Sequence, residues 1–179
     1  MEAKQCSTDD ERYHAAKAMM MEYTSQFPDI DVISSEEIIE IMKCGENTWL
    51  VDVRNVEEQD VSMLPGALSK YEFEAAIKKG DVAPTDLIIS YCTIGYRSGV
   101  YSMELYTRGF QNVKNGEGIL LWTYTNVPLV VKNTDGKVVP AHSIHTFGDK
   151  WDIASTRYRS HQYGQWEIAL RGILSYFRL

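Results

Sequence analysis

Cysteine is scarce in this chain of 179 residues: Cys6, Cys44 and Cys92 are too few and too scattered for a disulfide framework or a four-ligand zinc site. That usage fits a reducing compartment. Long apolar runs are missing too. No stretch approaches the ~20 apolar residues that a membrane span needs, and the first ten residues show no apolar core behind a basic start. Basic charge is in deficit: 18 Lys and Arg stand against 25 Asp and Glu, for a net charge of -7. Nucleic-acid binders carry the opposite balance, because they displace counterions from phosphates. Internal repeats and low-complexity segments are absent as well. These absences leave a cytoplasmic protein of ordinary globular composition as the expectation, with no nucleic-acid partner, no membrane span and no cofactor. A chain of this length can bury roughly 70% of the surface its unfolded form would expose, so a core needs no staples.

Several helix and strand signals are present. Thr8 or Asp9 can cap a helix running to about Gln26, with Asp10 and Glu11 in its first turn and Phe27-Pro28 ending it. Val32-Ile33 is a short strand candidate. Ser34-Ser35-Glu36-Glu37 opens a second helix, whose apolar face is Ile38, Ile39, Ile41 and Met42 and whose stop is Cys44-Gly45. The apolar run from Trp49 to Val53 reads as a buried strand, Pro65-Gly66 as a turn, and Tyr71 to Lys79 as a helix. Leu87 to Tyr91 is a second buried run leading into Cys92, and Ser98 to Arg108 is helical, with Gly109 as its stop. Asn112-Val113-Lys114 is a further strand, before the turn Asn115-Gly116-Glu117-Gly118 and the run Ile119 to Trp122. Strands alternating with helices predict an α/β fold, a parallel sheet covered by helices on both faces. Beyond Pro128, Leu129-Val130-Val131 and Lys137-Val138-Val139 flank Asn133-Thr134-Asp135-Gly136, a hairpin signal. An aromatic-rich tail follows, with Trp151, Tyr158, Tyr163, Trp166, Tyr176 and Phe177.

Cys92 carries the chemical interest. A buried cysteine packing as a small hydrophobe is the ordinary reading. Its place between the carboxyl end of a parallel strand and the start of a helix argues for more, because open α/β sheets bind ligands there and free helix N-H groups favour an anion. Arg97, at the far end of the loop, adds positive charge, and together these favour a reactive thiolate.

The loop Cys92-Thr93-Ile94-Gly95-Tyr96-Arg97 resembles the six-residue active-site loop of rhodanese-like sulfurtransferases, with cysteine first, glycine fourth and arginine sixth. Three further segments agree in order: Leu50-Val51-Asp52-Val53-Arg54 with Glu57 and Glu58 after it, Leu64-Pro65-Gly66-Ala67, and Gly109-Phe110 through Val113 to Trp122. The resemblance covers about Val32 to Tyr124. It implies a rhodanese-like domain over 32–127, an N-terminal helical extension over 1–31, and a C-terminal hairpin and aromatic extension over 128–179 packed on the domain. It also implies transfer of a sulfane sulfur from a thiosulfate- or persulfide-type donor to a thiol, cyanide or protein acceptor, through a persulfide on Cys92. By motif position Cys92 is the nucleophile and Arg97 its cationic helper, and Thr93, Ile94, Gly95 and Tyr96 form the cradle. Asp52 and Arg54 line the neighbouring strand end; Arg54 is expected to be held by Glu57 or Glu58 in a mainly structural role.

The departures from the family pattern shape the rest. Many thiosulfate-using members carry a basic second loop residue, where this chain has Thr93, so Arg97 is the only formal charge offered to an anionic donor. Ser62-Met63 replaces a Gly-His, and Glu117 interrupts a glycine pair. Tyr96 is expected to pack outward. Two rivals compete: a cysteine phosphatase or arsenate reductase, whose loops have five residues between cysteine and arginine against four here, and a rhodanese-like binding module without turnover. His142 and His145, with Asp149 and Asp152, lack the frame of a metal site, so no metal is expected. The segment Ile168 to Leu179 could lie on a partner or membrane surface, but a docked segment is the preferred reading. Residues 1–31 hold seven acidic and three basic side chains and residues 150–179 two and five, so opposite charge could draw the two ends together.

Overall fold

A computed structural model describes residues 8–45 and 48–162. Cys6 and the aromatic residues from Tyr163 onward, including the Ile168 to Leu179 segment, lie outside the described residues.

The first helix, α1 (Asp9–Thr24), starts in a capping box: Thr8 accepts from the Glu11 N-H while the Glu11 carboxylate accepts from the Thr8 N-H. β1 (Val32–Ile33) leads into α2 (Ser35–Cys44), capped in the same way by Ser34 and Glu37 and closed by Gly45 in the left-handed conformation. Of its four expected apolar residues only Ile38 is fully buried, and Met42 is exposed. β2 (Thr48–Asp52) is followed by α3 (Val56–Gln59), β3 (Leu68–Ser69) and α4 (Lys70–Lys79). β4 (Leu87–Tyr91) ends at Cys92, and α5 (Tyr96–Thr107) begins two residues earlier than the sequence suggests, with Gly95 as its cap. β5 (Val113–Gly116) and α6 (Ile119–Trp122) complete the central unit. Asn115 and Gly116, read as a turn from sequence, are strand residues because they pair with Val32 and Ile33.

The five central strands form one parallel sheet in the order β1-β5-β4-β2-β3. Side chains alternate across it with the period of two that a strand imposes. Leu50, Ile89 and Tyr91 face a core built with Ala16 and Met20 of α1 and Ile119 to Trp122 of α6. Val51 and Ile88 face the other core, with Phe73 of α4 and Tyr101 and Leu105 of α5. The expected α/β sheet with helices on both faces is what forms.

From β2 the chain moves outward to β3, and from the adjacent β4 it moves the opposite way to β5. That divergence falls at the carboxyl ends of β2 and β4, the switch point at which open α/β sheets place ligands. Asp52 ends one of these strands and Cys92 follows the other.

After this unit come β6 (Val130–Lys132) and β7 (Val138–Pro140), an antiparallel hairpin as the Asp135-Gly136 signal indicates. β8 (Ser143–His145) pairs in parallel with β9 (Arg159–His161), across a short 3-10 turn at Asp149–Trp151. The described ends do meet, through individual contacts. Arg12 bonds the Asp152 carbonyl at 3.0 Å and its carboxylate at 3.3 Å, and Asp9 accepts from the Ser155 hydroxyl and the Thr156 N-H. The cation here comes from the acidic segment and a carboxylate from the basic one, so net segment charge does not describe the contact. No described helix is long and apolar enough to cross a membrane.

Candidate active site

The loop after β4 is fixed from three sides. Ile119 N-H donates to the Cys92 carbonyl at 2.9 Å and Leu120 N-H to the Thr93 carbonyl at 3.2 Å, so the unpaired amides at the start of α6 satisfy the loop's carbonyls. Asn115 Nδ2 holds the Gly95 carbonyl at 2.8 Å. Ser90 bonds both the Ser98 carbonyl and the Ser102 hydroxyl, tying β4 to the first turns of α5. Two glycines permit the close approach. A Cβ on Gly118 would lie 2.5 Å from the Thr93 carbonyl oxygen, and one on Gly95 would lie 2.6 Å from Thr24 of α1; both residues also have positive φ.

Cys92 is buried, and its Sγ accepts from the Gly95 N-H at 3.2 Å and from the Ser98 hydroxyl at 3.4 Å. Both donors favour an anionic sulfur. Thr93 and Ile94 are buried, and Thr93 Oγ1 turns away from the sulfur to accept from Arg97 Nη2 at 3.0 Å. Tyr96 packs outward against Tyr23 and Phe27, with ring centroids 5.8 and 5.7 Å away.

The charged residues pair differently from the sequence expectation. Arg54 is not held by Glu57 or Glu58. Its Nε and Nη2 clamp the Asp52 carboxylate at 2.6 to 3.2 Å, and Nη2 also reaches the Ser62 carbonyl at 2.6 Å. The reason is geometric: Asp52 lies two residues back on the same strand end, whereas α3 turns Glu58 toward the loop. Tyr91 Oη donates to Asp52 at 2.7 Å and accepts from the Leu64 N-H, and burial together with the Asp52 charge pushes this phenol well above its usual range. Glu58 instead receives Arg97 in a bidentate pair, at 2.7 and 2.8 Å. Burial raises the Glu58 carboxyl, but the Arg97 bonds and charge, with help from Arg54, outweigh it and hold the group below the usual range.

Several residues at the site carried no signal in the motif. Ser98 is one; its place in the first turn after the loop is the clue that could have found it. Glu117, the residue that interrupts the glycine pair, accepts from Ser35 N-H and from Lys17 Nζ, both at 2.8 Å, and so fastens α1 and α2 beside the loop. Phe147 lies with its ring 5.2 Å from the Arg97 guanidinium carbon, and His145 Nδ1 is 3.7 Å from Glu58. Both come from beyond the hairpin, and sequence separation hid them. Burial lowers the His145 pKa, against the pull of Glu58. The described residues hold no group of three or more His, Cys, Asp or Glu able to bind a metal ion.

The fold is that of rhodanese-like domains, and the loop resembles theirs. No protein-family model matches the chain. It is 28% identical over 102 residues to a sulfurtransferase of Allochromatium vinosum, a match covering 56% of this chain and 95% of that one. Among solved structures it resembles a thiosulfate sulfurtransferase from Pseudomonas aeruginosa, with TM-score 0.54 and 19% identity over 68% of this chain. The match spans only 24% of the Pseudomonas chain. It also resembles the polysulfide-sulfur transferase homodimer of Wolinella succinogenes, with TM-score 0.51, 17% identity, and coverage of 68% and 93% of the two chains. At these identities the solved structures speak for the fold.

Proposed function

We propose that the protein is a rhodanese-type sulfurtransferase that carries sulfur as a persulfide on Cys92, with residues 32–127 as the catalytic unit. The observation that carries this reading is Cys92 Sγ at the carboxyl end of β4, receiving the Gly95 N-H and the Ser98 hydroxyl inside a Cys-x4-Arg loop. The Cys92 thiolate attacks the outer sulfur of the donor, the donor's S–S bond breaks, and the leaving group departs with the electron pair. Gly95 and Ser98 stabilise the negative charge on the bound sulfur. A thiol or cyanide then takes the outer sulfur and returns the Cys92 thiolate.

Phosphoryl transfer fits less well. Only four residues separate Cys92 from Arg97, and Arg97 is turned onto Glu58 rather than toward a tetrahedral oxyanion above the thiol.

The test is an intact-mass measurement after incubation with thiosulfate, mercaptopyruvate or glutathione persulfide. A gain of one sulfur atom on the wild type, lost in Cys92→Ser and kept in Cys44→Ser, is the expected result. Thiocyanate production from cyanide should follow the same pattern, and its persistence in Cys92→Ser would exclude the mechanism.

A further inference from the structure

Arg97 is the only formal cation within the loop Cys92 to Arg97, yet three neighbours already claim its guanidinium. Glu58, its side chain 3% exposed, takes one N-H from each terminal nitrogen, and Thr93 Oγ1 takes another from Nη2. Phe147, delivered by the segment after β8, lies against the guanidinium. Glu58 cannot swing away freely, since it also accepts the Asn55 N-H that caps α3. The other buried charges nearby are paired as well, Asp52 with Arg54 and Glu117 with Lys17. The loop around Cys92 is therefore charge-balanced before any sulfur donor arrives.

We propose that Glu58, together with the Phe147 ring that lies against Arg97, determines donor specificity: it withdraws Arg97 as an anion receptor, so the site takes sulfur from persulfide-type donors in preference to dianionic thiosulfate. The inference rests on sulfur transfer through Cys92. With thiosulfate, Cys92–S⁻ and S–SO₃²⁻ give Cys92–S–S⁻ and sulfite, so three negative charges must gather at a site where the described residues offer no spare cation. With a protonated alkyl persulfide, Cys92–S⁻ and R–S–SH give Cys92–S–SH and R–S⁻. Only one negative charge then has to be accommodated, and Gly95 N-H and Ser98 Oγ-H suffice for it. Phe147 belongs to the extension, so part of this specificity lies outside the loop motif.

The experiment compares kcat/KM for thiosulfate and for glutathione persulfide, with cyanide as acceptor, in the wild type, Glu58→Gln and Phe147→Ala. The wild type should favour the persulfide. Glu58→Gln keeps the shape and a hydrogen-bond acceptor but frees one positive charge, so the thiosulfate-to-persulfide ratio should rise about ten- to a hundredfold, mainly through a lower KM for thiosulfate. Phe147→Ala removes only an aromatic face at a half-exposed position and should raise the ratio about two- to fivefold. It carries the test alone if Glu58→Gln does not fold. An unchanged or lowered ratio in the folded variants, with sulfur still transferred, would overturn this inference and leave the proposed function standing. A wild type that takes sulfur from neither donor would overturn both.

Discussion

Two arginines stand at the carboxyl ends of adjacent strands, each bonded to a carboxylate, and they are not equivalent. Arg54 and Asp52 are both 0% exposed, whereas Arg97 is 33% exposed and its partner Glu58 3%. The Asp52–Arg54 pair is a strut: it joins the end of β2 to the Ser62 carbonyl and, through Tyr91, to the Leu64 amide. The Glu58–Arg97 pair joins a carboxylate on the one-turn α3 to an arginine in the first turn of α5, just after the Cys92 loop. A wholly enclosed pair has no alternative partner, while a partly open one can be redirected by substitution. Full enclosure suits a structural strut, and partial enclosure beside Cys92 suits the specificity role proposed for Glu58.

Removing each arginine should separate the two roles most sharply. Arg54→Ala leaves Asp52 as an uncompensated buried carboxylate and should cost about 3–5 kcal/mol of stability. Arg97→Ala lets water reach Glu58 and should cost roughly 1–3 kcal/mol, within the range for losing a charged hydrogen-bond partner. Chemical denaturation measures both. Equal losses would mean that exposure does not divide the pairs as described.

Acid should act on the second pair and its neighbour. Glu58 has a native value below its ordinary 4.5, so its stabilisation is full above that pH and is lost as pH falls through the native value. His145 is likewise depressed from 6.5, because burial disfavours the imidazolium. The unfolded chain therefore takes up that proton first, and stability declines below about 6.5 before the carboxylates contribute. His145→Gln should flatten the upper part of a stability-pH curve. Glu58→Gln should shrink the lower part without abolishing it, since Asp9, Glu37, Glu72 and Glu74 are depressed too. A curve that is identical for wild type and both variants would show that neither group is linked to folding.

Local signals made much of this legible. The apolar run Leu87 to Tyr91 coincides with β4, and Thr8, Ser34 and the Asp135-Gly136 turn all act as their chemistry suggests. The short elements β3 and α3 escaped, because two- and four-residue pieces show no periodicity and owe their form to Asp52 and Val51 pairing across the sheet and to the Glu58 cap. At the candidate site the loop was visible as a contiguous motif. The partner of Arg97 was not: Glu57 and Glu58 are adjacent and chemically alike in sequence, and only the phase of α3 turns one of them inward. Phe147 reaches Arg97 and His145 reaches Glu58 from far along the chain, a separation no spacing rule bridges.

A third ion pair sharpens the comparison at its weak end. Lys17 and Glu117 are 37% and 5% exposed, so this pair is as open as Glu58–Arg97 but lies on the side where α1 is fastened. Lys17→Met keeps the stem and removes only the charge, and should cost about 0.5–1.5 kcal/mol, because Glu117 keeps the Ser35 N-H. Glu117→Ala should cost more, roughly 1–3 kcal/mol, because it also orphans the Ser35 amide, which is buried at the start of α2. The asymmetry is the point: the two substitutions break the same ion pair, yet only one strands a second donor away from water. Denaturation midpoints for the two variants, with hydrogen exchange across α1 and α2, check it. Protection should drop in α1 alone for Lys17→Met and in both helices for Glu117→Ala, and equal effects would place the worth of Glu117 in its contact with α1 and not in the Ser35 amide.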